Sequence, residues 1–481
     1  MLDPIVLTKL KDIVGAENVL TSDDERLSYS YDATPQLEFL PEAVVVPSST
    51  EDVAAILRLA NEEEFHVVPR GAGTGLSGGS VPVENSIVLL MNRFNRLIEI
   101  DTANLTALVE PGVVTAQLHQ AVEAQGLFYP PDPGSMKVST LGGNVAENAG
   151  GLRGLKYGVT KDYVMGLEVV LPTGDVLWTG GKCVKDVAGY NLKQVFVGSE
   201  GTLGVFTKIL LKLIPKPPAK KTLVAYFRTL ADAGATVSAI IAAHIIPATM
   251  ELLDNVTLRC VEAYAKLGLQ TDMEAMLLVE VDGHPAAIAE EAEQILSLCQ
   301  QQGAVTVSLA QDTQEADRLT AARRSAFAAL ARARHAAILE DATVPRSELV
   351  PMLEAIQRIA QKYDVLIGTF GHAGDGNLHP TALIDPLNHA ELHRAEQAFE
   401  DIFDAAIALG GTITGEHGVG LAKRKFLPRQ VSAPGIELMK KLRAVVDPKG
   451  VLNPGKVIEG TVRCESAEEV GLGVRGSPMR H

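Results

Sequence analysis

The run Gly371-His372-Ala373-Gly374-Asp375-Gly376-Asn377-Leu378-His379 sets two histidines seven residues apart across small, turn-forming residues. Further on, Gly415-Glu416-His417-Gly418 places a carboxylate beside a third imidazole. A tight loop can turn His372 and His379 toward one point. Two histidines and a carboxylate are a common ligand set for zinc or a similar divalent cation, with positions left open for substrate. Spacing alone leaves another reading open, because histidines in glycine loops also serve as ordinary turn residues. A helix expected over AARRSAFAALARARH (321–335) carries Arg323, Arg324, Arg332 and Arg334. Arginines on such a helix commonly form a solvated face.

A second chemistry lies in RGAGTGLSGGS (70–80). Gly73-x-Gly75-x-x-Gly78 spells a dinucleotide fingerprint, but that fingerprint needs a helix opening at its third glycine. Here Gly79, Ser80, Val81 and Pro82 lead into another strand, so the Rossmann reading fails. The glycines instead leave successive N–H groups unhindered, and the loop can wrap a diphosphate as an anion nest. LGGNVAENAGG (141–151) and VGSEGTLGV (197–205) read as two more close-approach loops, with Ala146, Ala149, Gly150 and Gly151 small enough to lie against a flat ring system. The three loops together predict one long ligand.

The elements that must position these residues form a coarse pattern. AVVVP (43–47), a capped helix over SSTEDVAAILRLANEE and HVVPR (66–70) make a βαβ unit that delivers the chain into the first loop. SIVLLM (86–91), LEVVLPTG (167–174) and FTKILLKLIP (206–215) read as strands, and PKPPAKK (215–221) as a linker. Beyond it, strands and helices alternate in a smaller α/β pattern, and residues 459–481 read as a loose tail. A length of 481 residues predicts two or three domains, and 46% hydrophobic with 21% charged residues excludes large-scale disorder. With 43 Lys+Arg against 59 Asp+Glu the formal charge is −16, which speaks against nucleic acid as a partner. Cys183, Cys260, Cys299 and Cys464 form no C-x-x-C pair, so no iron–sulfur framework is expected, only isolated buried thiols. The N-terminal stretch, with Asp3 near its start and no long apolar run, is not expected to act as a secretory signal. The apolar stretch Ala239–Ile246 contains His244 and falls far short of the ~20 residues that span a bilayer. A cytoplasmic protein without a transmembrane segment is expected, with peripheral membrane attachment through a partner left open.

RGAGTGLSGG, PPDPGS (130–135), GGNVAENAGG, YGVTKDYV (157–164), DVAGYNL (186–192), VGSEGTLGV and LNPGK (452–456) resemble, in order, the FAD-binding domain of the p-cresol methylhydroxylase/vanillyl-alcohol oxidase superfamily. Within it the chain is most similar to the D-2-hydroxy-acid dehydrogenases, from about Ala43 to Ile458. The resemblance implies an α+β fold: an FAD-binding domain of two α+β subdomains over 1–215 and a ferredoxin-like substrate domain with an antiparallel sheet over 216–410. A C-terminal segment over 411–458 would return to the FAD site. It implies that Arg70, Gly71, Ala72, Gly73, Thr74, Gly75, Leu76, Ser77, Gly78 and Gly79 hold the FAD diphosphate. Pro131, Asp132, Gly142, Gly143, Asn144, Ala149 and Gly150 would line the adenosine and ring region. Gly201, Thr202 and Val205 would face the flavin, and Asn453 and Lys456 would reach it from the C-terminal side. Covalent attachment uses a histidine or similar nucleophile near the first loop, and residues 70–80 hold none, so non-covalent FAD is expected.

The resemblance also makes His372, His379 and Glu416 metal ligands, zinc being the expected ion, and Arg323 the grip on a substrate carboxylate. A 2-hydroxy acid can chelate a cation through its carboxylate and hydroxyl, which lowers the hydroxyl pKa. His417 is then placed either to take that proton or to orient Glu416. Where D-2-hydroxyglutarate enzymes show a lysine before an Asp-x-x-x-Pro stretch, this chain reads ILEDATVP (338–345), which puts D-lactate or glycolate ahead. Without its own iron–sulfur motif the chain must pass electrons to an iron–sulfur subunit, an electron-transfer flavoprotein, a quinone or oxygen. An alcohol or sugar oxidase on the same fold would need neither arginine nor cation, and a non-catalytic flavin subunit would need no proton-handling cluster.

Overall fold

Val44, Val45, Val67, Val68 and Ile87 to Leu89 are fully buried, the near-continuous aliphatic pattern of strands covered on both faces. In the computed structural model, which describes residues 2–35 and 37–458, they build a four-stranded sheet. Ala43–Val45, Ser86–Leu90 and His66–Arg70 pair in parallel, and Val19–Leu20 adds antiparallel at one edge. The crossover helix Thr50–Glu63 begins at a reciprocal cap, in which Ser49 and Asp52 each accept the other's backbone N–H at 3.1 Å. It buries Val53, Ile56, Leu57 and Ala60, the i, i+3, i+4, i+7 stripe of an amphipathic helix.

Antiparallel strands Leu97–Asp101, Thr106–Val109, Val205–Lys212, Val164–Val170 and Val176–Gly180 form a second sheet. Leu118, Val122, Leu141 and Val145 pack against it from two helices, Thr115–Glu123 and Leu141–Glu147. The second helix corrects the loop expected over 141–151. Gly142 serves close packing, since a Cβ there would stand 2.5 Å from Pro111 Cβ, and Asn148, with φ 55°, ends the helix.

The third sheet is eight-stranded and antiparallel. Its order is Thr306–Leu309, Ala219–Phe227, Ala275–Gly283, Thr249–Asp254, Leu366–His372, Asn377–Ile384 and Ala336–Leu339, with Ala342–Thr343 also on Asn377–Ile384. Helices cover both faces, so Leu223, Ala225 and Phe227 enter one apolar core while Val224 and Tyr226 enter another. The linker expected over 215–221 is shorter than the composition break, because Ala219, Lys220 and Lys221 already pair with Gly283, Asp282 and Val281. The single helix expected over 321–335 is two, Thr313–Arg324 and Ala326–Ala333. Ser325 separates them, its hydroxyl donating to the Ala322 carbonyl at 2.8 Å in competition with the backbone ladder. Cys299 is buried, but Cys260 is only half-buried and Cys183 is exposed, so buried thiols are not the general rule expected; Cys464 and the tail 459–481 lie outside the described residues. No helix among the described residues is long and apolar enough to cross a membrane.

Late in the chain, Val451–Asn453 runs beside His66–Arg70: Val67 N–H donates to Val451 O, and Asn453 N–H donates to Val67 O, both at 2.8 Å. Asn453 Nδ2 then donates to Gly79 O (2.9 Å) and Glu200 O (2.7 Å), tying two glycine loops together. Replacing Asn453 by Ala leaves both buried carbonyls without that donor, and urea unfolding should show a loss of about 1–3 kcal/mol.

Candidate active site

Two strands, not a tight loop alone, bring the histidines together. Leu366–His372 and Asn377–Ile384 form a hairpin in register His372 to Asn377 and Phe370 to His379, so the imidazoles project from one face with ring centroids 5.1 Å apart. Glu416 Oε1 lies 3.2 Å from His372 Nε2 and 3.3 Å from His379 Nε2. Tetrahedral ligands at zinc-like bond lengths stand about 3.3 Å from one another, so these two spacings suit a small divalent cation. The ligand atoms of all three residues fall within 4.8 Å. His372 Nδ1 meets the fully buried Glu251 at 2.8 Å, and Arg323 pairs with the other Glu251 oxygen. Such an outer carboxylate fixes the orientation of a ligating imidazole.

The charges alternate through the cluster. Burial opposes a charge on His372, but Glu251 and Glu416 outweigh it and hold its pKa well above the usual value. His379 gains less from Glu416 than burial costs it, and is pushed down to about 4. Burial also disfavours a charge on Glu416, yet His372 and then His379 keep it well below the usual carboxylate range.

His417 stacks on His379 at 5.2 Å, and its Nδ1 is 3.5 Å from Asp341 Oδ1. Asp341 Oδ2 accepts the backbone N–H of Gly415 (2.6 Å), Glu416 (2.9 Å) and His417 (3.3 Å). Its Oδ1 pairs with Lys423, itself buried and also 3.1 Å from Glu340. Although burial resists it, His417 and Lys423 hold Asp341 below the ordinary carboxylate range. Across the loop, Glu200 accepts Val419 N–H and Gly420 N–H, each at 2.7 Å.

His372, His379, Glu416, His417 and Glu200 open on one cavity of about 790 Å³, inside the range of cofactor and ligand pockets. Its wall includes Arg70, Gly71, Ala72, Gly73, Thr74, Gly75, Leu76, Gly79, Gly142, Gly143, Asn144, Ala149, Gly150, Gly201 and Val205. Arg323, His372, His379, Glu416 and His417 close its other end. Among the described residues no acceptor takes the backbone amides of Gly71 through Ser77. A run of unpaired amides beside a cavity fits a diphosphate. The remaining candidates sit outside the wall. Gly78 N–H donates to Thr34 Oγ1, Pro131 O meets His119 Nε2, and Thr202 Oγ1 donates to Ser199 O. Ser77 O accepts from Leu421 and Ala422, Asp132 pairs with Arg324 at 2.9 Å, and Lys456 Nζ donates to Val81 O at 2.6 Å. With Asn453, these fix the wall without forming it.

Sequence reasoning missed Glu251, Asp341, Lys423, Glu147 and Glu200. Glu251 had a signal, a carboxylate set between Met250 and Leu252 in the middle of the apolar run ATMELL. Lys423, beside Arg424 and Lys425, had none.

The chain matches the FAD binding domain family over residues 41–180 and the C-terminal domain of FAD linked oxidases over 216–457. It belongs to the FAD-linked oxidase family and is an FAD-dependent oxidoreductase. Glycolate oxidase subunit GlcD of Bacillus subtilis is 54% identical over 463 residues, covering 96% of this chain and 98% of that one. D-lactate dehydrogenase of Archaeoglobus fulgidus is 37% identical over 442 residues, covering 90% and 95%. Crystalline p-cresol methylhydroxylase shares the fold with a TM-score of 0.80 at 20% identity, over 95% of this chain and 96% of that chain.

Replacing Lys423 by Met strands the buried Asp341 charge. Breaking such a pair costs about 3–5 kcal/mol, and chemical denaturation should show a loss of that size.

Proposed function

We propose that the protein oxidises a small 2-hydroxy acid, D-lactate or glycolate, to the 2-oxo acid. The observation that carries this reading is a single cavity, with unpaired amides at one end and Arg323 beside the His372–His379–Glu416 cluster and His417 at the other. Residues 1–215 serve as the FAD-binding unit, 216–410 as the substrate unit and 411–458 as the segment joining them. The names of the relatives, glycolate oxidase subunit and D-lactate dehydrogenase, point to the same substrate class.

FAD supplies the two-electron acceptor that receives hydride from the substrate's C2. His372, His379 and Glu416 would hold a divalent cation, whose chemistry is to lower the hydroxyl pKa. Arg323, fixed by Glu251, turns its remaining guanidinium N–H groups to the substrate carboxylate. His417, steadied by Asp341, takes the hydroxyl proton as C2–O becomes a carbonyl. Phe327, Leu339 and Phe370 line this end with apolar surface, which suits hydrogen or methyl at C2 and leaves a second carboxylate unpaired. Electrons leave to a partner, an iron–sulfur subunit or electron-transfer flavoprotein, in keeping with the subunit status of the Bacillus relative.

Anaerobic addition of glycolate or D-lactate should bleach the oxidised-flavin band, with L-lactate and D-2-hydroxyglutarate far slower. Chelation should abolish the bleaching and added zinc restore it; bleaching indifferent to chelators would remove the metal from the mechanism. A flavin band untouched by all four acids would sink the assignment. His417→Ala should keep the band and slow bleaching about 10²–10⁴-fold.

A further inference from the structure

The cavity wall contains three carboxyl groups that this chemistry does not use, Asp32, Glu147 and Glu200. Glu200 is fixed in its role. Its backbone is left-handed (φ 51°), and its two oxygens accept Val419 N–H and Gly420 N–H. Burial pushes its pKa up, and against that the two amides favour the ionised form. Glu147, last in the helix Leu141–Glu147, has no donors of this kind. Its Oε2 is buried without a hydrogen-bond partner. That atom and Glu200 Oε1 converge on Gly418, 2.3 and 3.0 Å from where a Cβ would stand. Glu147 Oε1 faces the first glycine loop, 2.8 Å from the corresponding point on Gly79.

The charged surroundings leave Glu147 uncompensated. Asp32 adds a third carboxyl to the same wall. Nearby cations are engaged elsewhere: Arg70 donates to Tyr31 O, Lys423 is on Asp341, and Lys456 donates to Val81 O. Burial first, then the charges of Glu200 and Asp32, raise the Glu147 pKa well above the carboxylate range.

We infer that Glu147 is a cofactor-binding residue that works as a neutral carboxylic acid, donating its proton from Oε1 to an acceptor atom of FAD. The inference rests on FAD filling this cavity. An ionised Glu147 could only accept, would face Glu200 as a like charge, and would bury a charge that no cation answers. A neutral acid beside a fixed carboxylate is a donor with defined direction.

The test is FAD binding to the apoprotein, followed by quenching of FAD fluorescence across a pH series. Wild-type affinity should hold at low pH and fall about tenfold as pH rises through the Glu147 ionisation, the worth of one hydrogen bond. Glu147→Gln keeps an N–H donor of the same shape, so its affinity should stay within about twofold of the low-pH value and lose that pH dependence. Glu147→Ala should bind about tenfold more weakly at every pH. Glu200→Gln, by removing the neighbouring charge, should move the wild-type fall to lower pH. Infrared spectra of the apoprotein should show a protonated-carboxyl band that Glu147→Gln lacks, a readout independent of FAD. Equal FAD affinity in wild type, Glu147→Ala and Glu147→Gln, or an infrared band unchanged by Glu147→Gln, would overturn the inference. A wild-type chain that bound no FAD at any pH would instead overturn the occupancy of the cavity.

Discussion

The site depends on how the backbone of residues 415–420 is satisfied. Amides in a buried turn need acceptors, and buried carboxylates need donors. Here each need meets the other. Asp341, beside the eight-stranded sheet, takes three amides of the turn, and Glu200, from the glycine loop that precedes Val205–Lys212, takes two more. Glu416 and His417 are therefore positioned by both halves of the protein at once. Lys423 closes the arrangement, because without it Asp341 would carry a buried charge answered only by dipoles and a histidine.

A second constraint runs through side chains. Arg323, Glu251, His372 and Glu416 alternate in sign, and His379 ends the series as a neutral ring. Arg323, Glu251, His372 and His379 are nearly sealed from water and Glu416 is only partly exposed, so each is stable only with its neighbours in place. A cation among His372, His379 and Glu416 would take over the positive charge that His372 carries, and Glu251 would remain to hold the ring. Arg323 thus has two duties. Its bond to Glu251 sets the imidazole, and the same bond aims the rest of the guanidinium at the cavity.

The sequence made the regular parts legible. Alternation and capping placed Thr50–Glu63 and His66–Arg70 almost to the residue, since local rules and tertiary packing agree there. They disagree at Leu141–Glu147, where two glycines argue for a loop but the chain is helical and contact with Pro111 leaves room only for glycine at position 142. The break at Ser325 was also out of sight, because a serine in an alanine-rich run signals little by itself. His372, His379, Glu416 and His417 stood out as types and spacing. Their supports were less legible: Glu251 showed only as a carboxylate in an apolar strand, and Asp341, Lys423 and Glu251 act through contacts up to 121 positions away, which no local pattern encodes.

The bridge from Val451–Asn453 to Val67 has a consequence for how the protein comes into being. A ribosome delivers the chain from its first residue, and units fold as they emerge. The strand His66–Arg70 and the loop behind it are made early, yet Asn453 and Lys456, which tie down that loop and the Glu200 turn, come nearly four hundred residues later. The wall around the Gly71–Ser77 amides is therefore completed only once residues far along the chain have joined it. The cavity is thus a joint product of the two ends of the described chain, begun by one and closed by the other.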